Sequence, residues 1–262
     1  MSVSLSPSLE FVLVTRLRAA GCVFAEDEAQ LIVSAARTSD ELASMLDRRV
    51  AGVPLEHVLG WAEFCGLRIE VDPQVFVPRR RTAFLVEQAA ALAPTNAVVV
   101  DLCCGSGAVG AALAATLDRI ELYAVDIDPA AVRCARRNVP DPGRVFEGDL
   151  YAPLPTSLTG RVDILVANAP YVPTGAIRLM PPEARLHEPR VSLDGGADGL
   201  DIQRRVTTAA RSWLAPGGHL LIETSGRQAP HTAEAFADAG LATRVESSDE
   251  VGATVVVGTA PR

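Results

Sequence analysis

A chain of 262 residues fits one large domain or a core domain with a small appendage, and its 48% apolar content is enough to bury a sizeable core. The formal charge of −8 leaves no basic stripe of the kind that phosphate backbones require, which argues against a nucleic-acid partner; the run Arg79, Arg80, Arg81 is the local exception. Five scattered cysteines without a C-x-x-C spacing, four histidines out of register with them, no basic region ahead of Phe11 to Val14 and no apolar run near the ~20 residues of a membrane span point to a reduced cytoplasm, no zinc site and no membrane.

In chain order, residues 8–20, 26–37 and 39–51 carry apolar side chains at helical spacing, with Ser39 ahead of Leu42, Met45 and Leu46 reading as a capped start. The alternation of Leu67, Ile69, Val71, Val75 and Val77 predicts a β-hairpin within 64–77 that turns at Asp72 and Pro73. The spacing therefore divides the chain into a helical segment over 1–63, a hairpin linker over 64–80 and a larger domain over 81–262. In that domain strands are predicted at 97–102, 121–126, 144–147, 162–167, 218–224, 241–247 and 253–259, with helices at 82–92, 107–117, 129–138, 200–214 and 229–239. Strands separated by single helices imply a doubly wound, mostly parallel seven-stranded sheet, which binds its ligand at the carboxyl ends of the strands.

Chemistry-bearing residues fall at those ends. After the first strand of this sheet come Cys103, Cys104, Gly105, Ser106 and Gly107, whose glycines allow a tight turn into a helix and a close approach of backbone to ligand. Asp126, followed by Ile127, ends the second strand, where a carboxylate can accept both hydroxyls of a ribose; Asp149, followed by Leu150, ends the third, facing an adenine amino group. Each carboxylate also fits a helix cap, and Asp128 ahead of Pro129 fits that role directly. The fourth strand ends in Asn168, Ala169, Pro170 and Tyr171. Together the four strand ends point to S-adenosyl-L-methionine, with S-adenosyl-L-homocysteine as product, on a Rossmann-like class I methyltransferase fold. A nicotinamide dehydrogenase shares the glycine turn and the second-strand acid, but it has no use for residues 168–171.

The fourth strand end supplies a reason for nitrogen chemistry. An amide nitrogen is a poor nucleophile because its lone pair is delocalised into the carbonyl. Two acceptors aimed at its N–H groups, the Asn168 side-chain oxygen and the Ala169 carbonyl, can hold it with the lone pair facing an electrophilic methyl group. Pro170 restrains the backbone that aims the carbonyl, and Tyr171 offers a flat wall. The plain alternative is a strand-to-loop turn, in which Asn and Pro are ordinary residues.

Several stretches carry a resemblance to a known family. They are Pro54 to Gly60, Glu63 to Leu67, Val75 to Arg79, Asp101 to Gly107, Ala124 to Ile127, Gly148 to Leu150, Asn168 to Tyr171, His187 to Pro189, Leu193 to Gly196 and Asp198 to Leu200. Across nearly its whole length the chain resembles the protein-(glutamine-N5) methyltransferases of the HemK type, which modify peptide chain release factors. The resemblance implies that the N-terminal helices help bind a protein substrate, that Asn168 to Tyr171 grip a glutamine side chain, and that the loop from Thr174 to Gly199 helps enclose the site. The family usually reads Asn-Pro-Pro-Tyr where this chain has Ala169, and Pro-Glu-Thr-Glu where it has Arg80, Arg81, Thr82 and Ala83. The readings held beside it are an N-methyltransferase of a small molecule or nucleobase, and a cofactor-binding protein with little turnover.

Overall fold

The computed structural model describes residues 7–262, so the first six positions of the 1–63 segment lie outside the described residues. Helices α1 (Pro7–Ala19), α2 (Ala25–Ala35) and α3 (Ser39–Val50) bury Leu13, Leu17, Ile32, Leu42 and Leu46 in a core of their own. The cap of α3 is Thr38 rather than Ser39. Thr38 is extended at φ −136° and its hydroxyl accepts from the Glu41 N–H at 3.1 Å, while the Glu41 carboxylate accepts from the Arg37 N–H at 2.8 Å. A fourth helix, α4 (Leu55–Leu59), starts after Pro54 and stops at Gly60, whose φ of 80° ends it. Five residues are too few to show a helical period, which is why the spacing does not reveal it.

The hairpin turns earlier than Asp72 and Pro73. Strands β1 (Trp61–Phe64) and β2 (Leu67–Glu70) pair antiparallel with Phe64 opposite Leu67. The turn is Cys65 and Gly66, with φ of 50° and 75°. Two successive left-handed residues match the twist of a two-residue hairpin, and Cys-Gly makes such a turn without the usual Asn-Gly signal. The later alternation has another cause: Val71, Val75 and Val77 leave the hairpin and bury themselves against the larger domain.

That domain is a seven-stranded sheet of β3 (Val98–Leu102), β4 (Glu121–Asp126), β5 (Arg144–Glu147), β6 (Val162–Ala167), β7 (Leu214–Thr224), β8 (Ala242–Ser248) and β9 (Ala253–Thr259). Its order is β5-β4-β3-β6-β7-β9-β8, parallel except where β9 runs antiparallel to β7 and β8. One face carries α5 (Ala83–Leu92), α6 (Ala108–Thr116) and α7 (Pro129–Asn138); the other carries α9 (Asp201–Trp213) and α10 (Ala229–Asp238). The strands explain both layers, because Val99 faces the first core while Val98 and Val100 face the second. A short α8 (Pro182–His187) lies in the long connection after β6. Among the described residues no helix is long and apolar enough to cross a membrane.

Phe236 secures α10 to the sheet and is fully buried. Gly258 on β9 leaves room for it, since a Cβ there would stand 2.5 Å from the Phe236 ring. Phe236→Ala is expected to cost about 3–5 kcal/mol through the cavity it leaves, read as a lowered midpoint in urea unfolding; an unchanged midpoint would show that α10 contributes little to the fold.

Candidate active site

The register of the sheet brings the strand ends to one edge. Leu102 lies opposite Val125 on one side and Ala167 on the other, and Asp126 lies opposite Glu147. The residues that follow therefore converge. Cys103, Cys104, Gly105, Ser106, Asp126, Ile127, Asp149, Leu150, Asn168, Ala169, Pro170 and Tyr171 line one cleft with about 1400 Å³ of empty space, part of it open to solvent. Gly107 is the exception among the expected cofactor residues. At φ 79° it caps α6, and a Cβ there would meet the Ala135 and Val139 side chains at 3.1 Å, so it serves the packing of α6 on α7 rather than the cleft wall.

The turn after β3 is tight. Cys103, Gly105 and Gly107 have φ of 57°, 55° and 79°, a conformation that costs Cys103 more than it costs glycine. It leaves the Gly105 N–H donating to Asp126 Oδ2 at 2.8 Å, while Asp126 Oδ1 accepts from the Asp128 N–H at 2.9 Å. These amides orient the carboxylate, and each oxygen keeps acceptor capacity for a ligand hydroxyl. Burial raises the Asp126 carboxyl above its ordinary range, opposed by the same amides. Asp128 caps α7 through the Ala130 N–H at 2.8 Å. Burial, together with the neighbouring acids, pushes the Cys103 and Cys104 thiols up, so both stay protonated and neither serves as a nucleophile.

Asp149 pairs with Arg205 of α9 at 2.5 Å through Oδ2. Behind the turn stands Asp101, a strand-end acid to which sequence reasoning attaches no role. It lines the cleft, is buried, and accepts from the Gly110 N–H at 2.9 Å. Burial first, and the charge of Asp126 as a lesser cause, push its carboxyl up to about 7.

At the far end of the cleft, Asn168 Nδ2 donates to the buried Thr82 hydroxyl at 3.4 Å, which leaves its oxygen for a ligand. Among the described residues no backbone N–H donates a hydrogen bond to the Ala169 carbonyl. The Tyr171 hydroxyl accepts from Arg81 at 2.5 Å, and Arg81 also pairs with Glu223 at 3.2 Å. Glu223 is buried, its second oxygen has no partner among the described residues, and burial keeps the Tyr171 phenol raised and neutral. Glu223 lies at the end of β7, so its strand-end position is readable in the sequence; its partnership with Arg81, 142 residues away, is not. Arg79 holds the buried Glu188 at 2.6 Å, and Arg49 of α3 pairs with Glu28 at 2.6 Å and with Glu183 of α8 at 2.7 Å. The connection after β6 is thus fastened to both the linker and the helical bundle. Among the described residues no group of His, Cys, Asp and Glu has the arrangement of a metal site.

A Rossmann-like sheet with a glycine turn, acids at successive strand ends and Asn-x-Pro-Tyr at the switch point defines a methyltransferase. Residues 68–184 match the family model described as methyltransferase small domain. The methyltransferase of Pyrococcus furiosus superposes with a TM-score of 0.57 at 15% identity, covering 86% of this chain and all of that one, which establishes the shared fold. The release factor glutamine methyltransferase of Geobacter sulfurreducens is 39% identical over 225 residues, 84% of this chain and 78% of its own. The 4-amino-L-phenylalanine/4-methylamino-L-phenylalanine methyltransferase of Streptomyces pristinaespiralis is 36% identical over 189 residues, 69% of this chain and 64% of its own. The chain belongs to the release factor glutamine methyltransferase family, and it is an enzyme of the S-adenosylmethionine-dependent class.

Asp101 makes stability depend on pH in a definite direction. A carboxyl raised to about 7 in the fold contributes stability that is complete below its ordinary value near 4 and is lost as pH rises through about 7. Asp101→Asn mimics the neutral form. The variant is therefore expected to melt several degrees above the parent at pH 8, with a gap that narrows as pH falls toward 4; a difference that does not change with pH would show that Asp101 is ionised throughout.

Proposed function

We propose that this enzyme transfers a methyl group from S-adenosyl-L-methionine to the side-chain amide nitrogen (N5) of a glutamine in a protein, namely a peptide chain release factor, in the cytoplasm. The observation that carries the reading is the pair of free acceptors, Asn168 Oδ1 and the Ala169 carbonyl, at the end of β6 on the wall of the cleft that also holds Asp126.

The donor set fits the cofactor. Asp126, its oxygens already aligned by two backbone amides, would hold the ribose hydroxyls. Asp149 would take the adenine amino group through the oxygen that Arg205 leaves free, with Leu150 and Ile127 as apolar walls. Residues 103–106 would back the amino-acid end, where Gly105 offers open space. When bound, the cofactor supplies a methyl group on a positively charged sulfur. Asn168 and Ala169 accept the two amide N–H bonds and turn the nitrogen lone pair toward that methyl. Attack of that nitrogen on the methyl would leave the cofactor as its neutral thioether and release one proton from the nitrogen to water. In this reading positioning is the enzyme's main contribution.

The substrate is read as protein on two grounds, the named relatives and the helical segment over 1–63, whose described residues line no part of the cleft. That segment shows Phe11, Val23 and Phe24 at 71%, 82% and 69% exposure, apolar groups suited to docking a partner. The Streptomyces pristinaespiralis relative favours one second reading, an arylamine in place of the glutamine amide.

The deciding experiment incubates the protein with labelled S-adenosylmethionine and a bacterial release factor, and maps the label by mass spectrometry. A methylated glutamine supports the reading; label on an offered arylamine and none on the factor supports the second. Asn168→Ala removes one acceptor from the reacting nitrogen, and a misplacement of this size costs about 10²-fold in turnover. Asn168→Asp keeps an acceptor but adds a charge to a desolvated site. Both variants are expected to hold cofactor within a few-fold of the parent; faster turnover by Asn168→Asp with a new pH dependence would mean that proton removal, not orientation, limits the rate. Asp126→Ala, by contrast, should weaken cofactor binding markedly because each charge-assisted bond contributes roughly 1.5–3 kcal/mol; a calorimetric dissociation constant equal to the parent's would remove Asp126 from the site.

A further inference from the structure

Beyond Pro170 the chain leaves the sheet without regular structure, so its backbone groups need partners from elsewhere. Most come from one strip of backbone. The Val172 N–H donates to the Leu193 carbonyl at 3.0 Å, the Gly195 N–H to the Val172 carbonyl at 2.9 Å, and the Thr174 N–H to the Gly196 carbonyl at 2.9 Å. The strip lies this close because it is rich in glycine: a Cβ at position 195 would stand 2.6 Å from the Pro170 carbonyl oxygen, and one at 199 would stand 2.3 Å from that of Tyr171.

The Tyr171 carbonyl is held differently. Gln228 Nε2 donates to it at 2.9 Å and to the Asp198 carbonyl at 3.0 Å, while Gln228 Oε1 accepts from the Ser225 hydroxyl at 2.6 Å. Two carbonyls can only accept, so the amide has one orientation, and both its N–H bonds and its oxygen are engaged. Ser225 directly follows β7 and Gln228 directly precedes α10, whose Ala229 and Phe236 are buried. The amide thus joins the motif after β6 and the enclosing loop to the rigid sheet.

We infer that Gln228 is a positioning residue for methyl transfer. It lies outside the cleft wall. By fixing the Tyr171 carbonyl it sets the peptide planes just after Pro170, and through them the direction of the Ala169 carbonyl and the pose of the Tyr171 ring. Ala169 makes this hold more necessary, because it lacks the ring that would restrain its own φ. The inference rests on the reading of residues 168–171 as the grip on the substrate amide.

The test compares the parent with Gln228→Ala and Gln228→Glu. With a release factor as substrate, Gln228→Ala is expected to lose about 10-fold to 10²-fold in kcat, with the KM for the factor and the affinity for S-adenosylhomocysteine within about threefold of the parent's, a split that loss of fold does not produce. Ionised Gln228→Glu sets a carboxylate against two carbonyls and should be slower still at pH 8. Its protonated form can donate one hydrogen bond, so its kcat relative to the parent should climb as pH falls toward 5.5. Parent-like kcat in Gln228→Ala, or a Gln228→Glu ratio flat with pH, overturns the inference. Hydrogen exchange of the backbone amides at 171, 172, 174 and 175 probes the same hold without reference to activity: it should quicken in Gln228→Ala, and unchanged exchange also overturns the inference. A parent inactive on the release factor counts against the substrate reading alone, with exchange still deciding what Gln228 holds.

Discussion

The pairing of β3 with β6 is the constraint on which the rest of the structure depends. To the β3 side the order runs to β4 and β5, to the β6 side it runs to β7, β9 and β8, so the chain reverses its direction of travel across the sheet at that one junction. Connections diverge there to opposite faces, which leaves a crevice at the carboxyl ends that neither helix layer covers. The Leu102 to Ala167 register then sets the turn at 103–107 beside the motif at 168–171. A shift of one residue would turn every core-facing side chain of β6 to the other face, so burial of Ile164, Leu165 and Val166 on both sides of the sheet is what holds two chemically distinct groups of residues in one cleft.

The cleft is also divided electrically. One part of its lining collects Asp101, Asp126 and Asp149, with Arg205 paired to Asp149; another collects Arg79 and Arg81, with Glu188 and Glu223 as their partners. An acidic part suits a ligand carrying a positive sulfur and an amino group. It bears a cost without one, because burying Asp101 and Asp126 together raises both carboxyls. The arginines of the other part are not a free basic patch. Arg79 and Arg81 are committed to buried carboxylates, and Arg81 also holds the Tyr171 hydroxyl. Two of the three arginines in the local exception to an acidic composition therefore serve internal contacts, while Arg80 is exposed.

Legibility follows the range of the physics. The strands, the helices and the four strand ends can be read because hydrophobic period and strand-end position are local properties. The family resemblance is readable for the same reason, being carried by short contiguous stretches. The Cys65–Gly66 turn escapes such a reading because its left-handed backbone comes from a residue pair that carries no such signal, and the true pairing runs from Trp61 with Glu70 to Phe64 with Leu67. Gly107 reads as a cofactor residue from its place in the turn, although its missing side chain answers to Ala135 and Val139 on and beside α7. Glu223 with Arg81 and Gln228 with Tyr171 are invisible in the sequence because each pairing spans a separation that only the folded sheet closes.

The departures from the family pattern take on a common sense once these long-range partners are known. Arg80 and Arg81 stand where the family usually has proline and an acid, and Arg81 meets its charge partner in a carboxylate already buried at the end of β7. Burying Glu223 alone would be costly, since an unpaired buried charge is among the most destabilising features a fold can carry. Arg81 supplies the partner and in the same step holds the Tyr171 ring at the cleft wall. At 169 the loss of a proline removes a local restraint, and the motif is held instead by the glycine strip, Arg81 and the Gln228 amide. In this chain the geometry of residues 168–171 is set less by their own backbone preferences than by three elements, the turn before α5, the loop before α9 and the start of α10, that converge on them from distant parts of the sequence.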